Sequence, residues 1–261
     1  TNKIVGIKMK VISFHLKGKM AHFRKFYSNS SALSYFIPPR TTISGILAGL
    51  LGWERDGYYD IFSLEQCKIA VACCVPVKKT MQKLNYLMIK KEGDFNGSAE
   101  HHSQTATEMV IPQNIRSGYL DYQVWISHQD DEIMNKMEKI IQPGFPGYCS
   151  LGISLGLGTA FHLGWIEQMQ ILEGTEKAED GTKEISSVIP LRKLDEIDIK
   201  AIQNDKFYLI KEEIPLEFDK DRRITKNGLG NMVVNIHGYP IPAKTHSCVE
   251  LSNGQFIAWM E

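Results

Sequence analysis

The chain lacks most of the marks that would place it in a catalytic, secreted or membrane class. Its five cysteines, Cys67, Cys73, Cys74, Cys149 and Cys248, are an odd number with no C-x-x-C spacing. Neither a zinc motif nor a disulfide framework is expected from such a pattern. Cys73 and Cys74 sit inside an apolar run, where cysteine acts as a small buried hydrophobe, and reduced thiols fit a cytosol. No apolar stretch approaches the roughly 18 residues of a membrane crossing, and the start of the chain has no signal-peptide apolar region. The expectation is a cytoplasmic protein with no membrane contact. Net charge is also missing, since 30 Lys and Arg balance 30 Asp and Glu. A free-standing nucleic-acid binder with a wholly basic face is therefore disfavoured. The balance suits a subunit whose basic groove is offset by acidic surface, as at 130–132, 176–180 and 195–198. A dinucleotide fingerprint is absent too: Gly156-Leu157-Gly158 is followed by Phe161 where a third glycine would stand. No cofactor and no metal are expected.

What the chain does have is enough apolar residue for a core, 43% of the sequence, with 23% charged. At 261 residues it holds one large or two small domains. The most informative stretch is 18–52, GKMAHFRKFYSNSSALSYFIPPRTTISGILAGLLG. Its first half is basic, aromatic and hydroxyl-rich. Pro38-Pro39 excludes helix before it, and the small-residue apolar run 43–51 follows, so a helix is predicted over 41–51. Thr41 or Thr42 is expected to cap it, leaving backbone N–H groups that favour an anion. Arg24, Lys25 and Arg40 add charge, while Phe23, Phe26, Tyr27 and Tyr35 add flat surfaces. These are the parts that hold a phosphate chain and stack its bases. The competing reading is ordinary close packing of a small-residue helix through Gly45, Ala48 and Gly49.

Elsewhere, partial alternation predicts a strand over 4–16, and a buried strand is predicted over 67–77. An exposed arm over 84–89 and a polar loop over 92–107 come next. A strand is predicted over 119–127. A helix opens on Asp130-Asp131-Glu132 and ends at Pro143-Gly144, and a strand follows over 161–172. The order β-α-β-β-α-β is the ferredoxin-like unit shared by RNA-recognition modules, so the class is α+β. An insertion of about forty residues, roughly 78–118, parts the second and third strands. Insertions of that length are usually functional. This one is basic through Lys78, Lys79, Lys83, Lys90, Lys91, His101, His102 and Arg116. The glycine-dense stretch 143–158 is either a loop approaching a ligand or the first helix closely, or a tight turn. His162, alone on a predicted strand, is expected to be a satisfied core histidine. Beyond 172 the chain reads as a polar linker over 173–187, a strand over 207–218, a charged turn over 219–226, and a hairpin over 249–259 turning on Asn253-Gly254 with a two-residue turn. The expected division is a ferredoxin-like domain over 1–172 and a β-rich region over 173–261. Tyr239, Phe256 and Trp259 look exposed and suited to a protein interface.

The run Ala21-His22-Phe23-Arg24, then Ser34-Tyr35-Phe36-Ile37-Pro38-Pro39-Arg40-Thr41-Thr42-Ile43, then Gly45-Ile46-Leu47-Ala48 resembles the N-terminal signature of the fifth CRISPR-associated protein family (Cas-five). The glycine-rich loop resembles that of the wider repeat-associated RNA-binding superfamily. The strings 214–219 and 222–226 resemble the type I-B branch. The resemblance covers most of the chain and is weakest over 173–204. It implies a projecting β-hairpin thumb at the insertion. It also implies a non-catalytic subunit of a CRISPR surveillance complex (Cascade), holding the 5′ handle of the guide crRNA. Such a subunit caps the backbone-subunit filament, contacts the large subunit, and meets target DNA only through the complex. The residues expected to touch RNA are Lys19, His22, Arg24, Lys25, Tyr27, Arg40, Thr41, Thr42, Ser44, Lys78, Lys79, His101, His102 and Arg116. RNA binding is expected to centre on Arg24, Lys25 and Arg40. The alternative is metal-independent cleavage of precursor crRNA, as in the type I-C branch, with Tyr27, Lys79, His101 and His102 in the roles of base and cation.

Overall fold

The computed structural model describes residues 8–28, 31–85, 104–141, 154–177, 181–202 and 206–261. The protein is mainly β, with two α-helices among the described residues. The strand predicted from residue 4 is β1 (Lys8–Gly18) as described. Two short strands, β2 (Phe23–Arg24) and β3 (Ser34–Tyr35), pair antiparallel and lead into α1 (Arg40–Leu50). Then come β4 (Cys67–Cys73), β5 (Val77–Asn85), β6 (Gln104–Pro112), β7 (Leu120–His128), α2 (Asp131–Ile140) and β8 (Gly164–Lys177). The C-terminal strands are β9 (Lys183–Ile185), β10 (Ile189–Pro190), β11 (Leu194–Ile197), β12 (Leu209–Pro215), β13 (Leu229–Asn235), β14 (Ile241–Thr245), β15 (Cys248–Leu251) and β16 (Phe256–Ile257).

A nine-stranded sheet runs β11-β14-β9-β16-β15-β8-β1-β7-β4. At one end of it, β8, β1, β7 and β4 are neighbours in that order and pair antiparallel throughout. Alternation along β1 decides what each face buries. Ile12, Phe14 and Leu16 point into the main core with Leu47 of α1 and Met134 and Met137 of α2. Val11 points the other way, into a second core with Trp125 and Trp259. Trp259 is therefore buried, not the exposed interface residue its position at the end of a hairpin implied. Tyr239 is exposed as expected. The separate sheet β10-β13-β12 brings Ile214, Met232 and Val234 into the main core.

Helix α2 follows its sequence signals. Asp130 caps it by accepting from the Glu132 amide at 2.7 Å, and Asp131 and Glu132 occupy the first turn. Three expectations need correction. Residues 173–177 and 183–185 of the expected linker are strand: β8 runs through to Lys177 and pairs with β15, so the C-terminal region extends the same sheet. Residues 104–107 of the expected polar loop belong to β6. The β15–β16 turn has three residues between Leu251 and Gln255, with Gly254 at φ 85. A positive φ at the third position is the geometry of the longer hairpin loop.

Candidate nucleic-acid interface

The insertion contains a β-hairpin ribbon. Its strands β5 and β6 pair from Val77↔Pro112 to Asn85↔Gln104. The free edge of β6 takes up the basic segment after β1: Ala21 pairs with Val110, and Ala32 with Thr107. Residues 19–28 and 31–35 are thereby held between the ribbon and the nine-stranded sheet, and the side chains here divide into two groups.

The first group is turned inward and neutralised. Lys79 Nζ donates to the Ser34 carbonyl at 2.5 Å and lies 3.2 Å from Glu108 and 3.6 Å from Glu212. It also sits 4.1 Å from the centre of the Phe36 ring. Lys25 Nζ lies 3.3 Å from Glu212, which is itself buried and accepts from the Phe36 amide. Burial pulls the Lys25 pKa down, but Glu212 and Tyr27 more than offset it, so the ammonium titrates above its ordinary range. His22 is buried, and its Nδ1–H donates to the Glu108 carbonyl at 2.7 Å. Desolvation lowers its pKa. Two cations and two carboxylates thus cancel at the base of the hairpin and tie residues 25, 34–36, 79, 108 and 212 together. A cation so paired is a weak ligand for phosphate.

The second group faces outward. Arg24 is exposed, with one guanidinium nitrogen donating to the Ser28 carbonyl. Phe26 and Tyr27 are 44% and 52% exposed and meet edge to face at 5.2 Å. Lys78 and Arg116 are exposed, and Lys19 donates to the Gly118 carbonyl while covering the exposed Tyr119 ring at 3.9 Å. Trp165 abuts Tyr119 edge to face. Tyr119 and Trp165 were not singled out from sequence, because strand-end aromatics carry no local sign of exposure.

Arg40 is the largest correction to the expected site. Only 1% of it is exposed. Its guanidinium donates to the carbonyls of Phe62, Leu216, Ser63 and Cys67 at 2.5–2.9 Å. Desolvation lowers its pKa, opposed by Cys67 and Glu217. It is a structural clamp and no phosphate can reach it. Nor does Thr41 or Thr42 cap α1. Pro39 holds the cap position, and its carbonyl accepts from the Thr42 and Ile43 amides, as fits an extended proline leading into a helix. Ser44 is buried and donates back to the Arg40 carbonyl at 3.0 Å. The pocket at this helix end holds only about 230 Å³, and Glu217 already lines it. An anion from outside would meet the protein's own carboxylate there.

A wider groove, about 1100 Å³, lies between α1 and residues 154–163. Thr42, Gly45 and Ile46 line one wall; Ser154, Gly156, Gly158 and Thr159 line the other. Of the glycine-rich stretch 143–158, only 154–158 fall within the described residues. These close a tight turn, with the Leu157 amide donating to the His162 carbonyl at 2.7 Å. Gly158 has φ 89, and a Cβ there would stand 2.1 Å from the His22 carbonyl oxygen. The glycine is required by that approach. His162 is buried, and its Nδ1 hydrogen-bonds the Thr159 hydroxyl at 2.6 Å. Burial and the neighbouring His22 lower its pKa. His101 and His102 lie outside the described residues.

No family model and no curated protein matches the sequence. Among solved structures, the fold is similar to that of a CRISPR protein from Archaeoglobus fulgidus, at TM-score 0.56 and 13% identity, over 95% of this chain and 98% of that one. A chain of a structure described as a CRISPR RNA-guided surveillance complex is similar at TM-score 0.41 and 12% identity, over 89% of this chain and 91% of that one. What these likenesses show is the fold, and that rests on the first of them: a mainly β architecture shared with a CRISPR-associated protein.

Proposed function

We propose that the chain is a non-catalytic, RNA-binding subunit of a type I CRISPR surveillance complex, from the type I-B-like branch of Cas-five. In this reading it holds the 5′ handle of the guide crRNA and caps the backbone filament beside the large subunit. Target DNA is met only through that assembly. Strands β8, β1, β7 and β4 are read as a ferredoxin-like core, with β5–β6 as its thumb. Their order and antiparallel pairing support that reading, as does the fold shared with the Archaeoglobus fulgidus protein.

One observation carries the proposal. At the base of the hairpin, Arg24, Phe26 and Tyr27 project outward, while the neighbouring Lys25 and Lys79 are consumed internally. An exposed aromatic pair beside a guanidinium suits unpaired bases and their phosphates. It does not suit a duplex, whose bases offer no free faces. The cleavage reading finds less support. Lys79, its proposed cation, is already matched by Glu108 and Glu212 and has little charge left to stabilise a developing anion.

The test is co-expression with the neighbouring genes, sequencing of the copurifying RNA, and incubation of the isolated chain with labelled repeat RNA in chelator. Repeat-derived RNA of uniform 5′ end in the complex and no cleavage by the isolated chain are expected. A discrete product lost in a His101→Ala/His102→Ala variant would establish the nuclease instead.

A further inference from the structure

Among the described residues, the sheet face opposite the helices is only partly covered. Val11, Trp125 and Trp259 close one end of it. Toward the other end, β1 turns His15 and Lys17 to the surface layer, opposite Gln123 and Asp121 of β7. Cys74, the residue after β4, joins them, because its amide donates to the Asp121 carbonyl at 2.9 Å. A ring nitrogen of His15, Cys74 Sγ and a carboxylate oxygen of Asp121 all lie within 4.8 Å of one another. No segment of the sequence announces this group. Its members stand 59 and 47 residues apart along the chain (74 − 15 and 121 − 74), and only the sheet brings them together.

We propose that His15, Cys74 and Asp121 form a binding site for a borderline divalent cation of the zinc type, with solvent completing the coordination. Imidazole, thiolate and carboxylate are the donor types zinc takes, and three protein ligands plus water form an open tetrahedral site. Bond lengths of about 2.0–2.3 Å to such ligands place the donors of one ion within a few ångström of each other, as these are. All three residues are half-buried, so an ion can reach them from solvent. His15 and Asp121 lie on the paired strands β1 and β7, and Cys74 is tied to them at the end of β4 by its amide bond to Asp121, which favours a preorganised site. The β1–β8 ladder shifts register between Ser13 and His15, with Gln168 at φ 54 on the bulged strand. Such bulges re-aim the side chains beside them.

The charges are compatible with an ion. Binding sends the Cys74 proton to solvent. It also exchanges the 2.6 Å contact between His15 and Asp121 for bonds to the metal. One thiolate and one carboxylate then balance two positive charges. Lys17, which lies 3.5 Å from Asp121, keeps Glu167 at 2.9 Å as its partner. The competing chemistry is a cysteine nucleophile activated by a His–Asp pair, in which the Cys74 proton passes to His15 rather than to solvent. A metal removes that proton outright.

The test uses the full chain freed of metal by chelator and titrated with cobalt(II), a spectroscopic substitute for zinc. One equivalent should raise thiolate-to-cobalt charge-transfer absorption in the near ultraviolet and intense visible bands of tetrahedral cobalt. Zinc should abolish both and raise the unfolding temperature. In Cys74→Ser the charge-transfer band should vanish, and in Asp121→Asn affinity should fall at least tenfold. Cobalt held only by histidines elsewhere gives no thiolate band. Absence of the band in the wild-type chain, or its persistence in Cys74→Ser, overturns the proposal. Thermal unfolding of each metal-free variant at the wild-type temperature shows that a vanished signal is not a vanished fold.

Discussion

Arg40 and Arg24 belong to the same sequence signature and carry the same charge, yet one is buried and the other faces solvent. Arg40 sits inside the protein with carbonyls from two separate segments, 62–67 and Leu216, around its guanidinium. Arg24 lies on a two-residue strand at the hairpin base with a single local carbonyl partner. Lys79 and Lys78, adjacent on β5, divide the same way: one is matched by two glutamates, the other is exposed. A basic motif is thus two things at once, an internal clamp that shapes a surface and the surface itself. Charge in the sequence does not say which residue does which.

Removing the clamp has the largest expected effect. Arg40→Ala leaves four carbonyls without their donor and should cost about 3–5 kcal/mol of stability, read as a lower urea midpoint at unchanged slope. Arg40→Lys cannot span the same four acceptors and should recover little of it. Unchanged stability in Arg40→Ala would erase the division between the two arginines. Glu212→Gln should come next, at about 2 kcal/mol, because it strips Lys25 and Lys79 of a shared partner. Combined with Lys79→Ala, its effect should be less than additive. Full additivity would mean the hairpin base is not one network.

Gly158→Ala sharpens the comparison from the other side of His22. A left-handed φ and a close carbonyl argue for a destabilisation of about 1–3 kcal/mol, and for a shift of the 154–163 wall of the groove. A crystal structure with that wall unmoved would count against the tight approach. The smallest effect is in pH. His22 and His162 both titrate below their ordinary value in the folded protein. The unfolded chain therefore takes up protons first. The stability that these neutral imidazoles hold is complete above about pH 6.5 and declines as pH falls below it. Urea midpoints between pH 7.5 and 5 should decline, and decline less in His162→Gln. Equal declines in both proteins would remove His162 from the account.

Legibility in the sequence followed the range of the interactions involved. Helix α2 was plain because its cap and first-turn acids are local. Helix α1 was found within one residue because Pro38-Pro39 limits what precedes it. The role of Arg40 was not legible, since its acceptors lie 22 to 176 residues away. The tail of β8 read as linker because Glu173, Thr175 and Lys177 are polar; pairing with β1 and β15 makes it strand. Trp259 looked exposed for the same reason, its cover coming from Val11 and Trp125 across the sheet. At the candidate interface, sequence named Arg24 and Tyr27 but could not separate them from Lys25 and Lys79, whose partner Glu212 lies far along the chain.

The most direct measurement is the affinity of the assembled complex for handle RNA, with Arg24→Ala/Tyr27→Ala set against wild type at two salt concentrations. Stacking of one base is worth about 1–3 kcal/mol, and removing the cation from one phosphate lowers the single-strand salt slope by about 0.7. The account predicts at least tenfold weaker binding and a shallower salt slope, with the unfolding temperature of the isolated chain unchanged. Wild-type affinity and slope in that variant would contradict it.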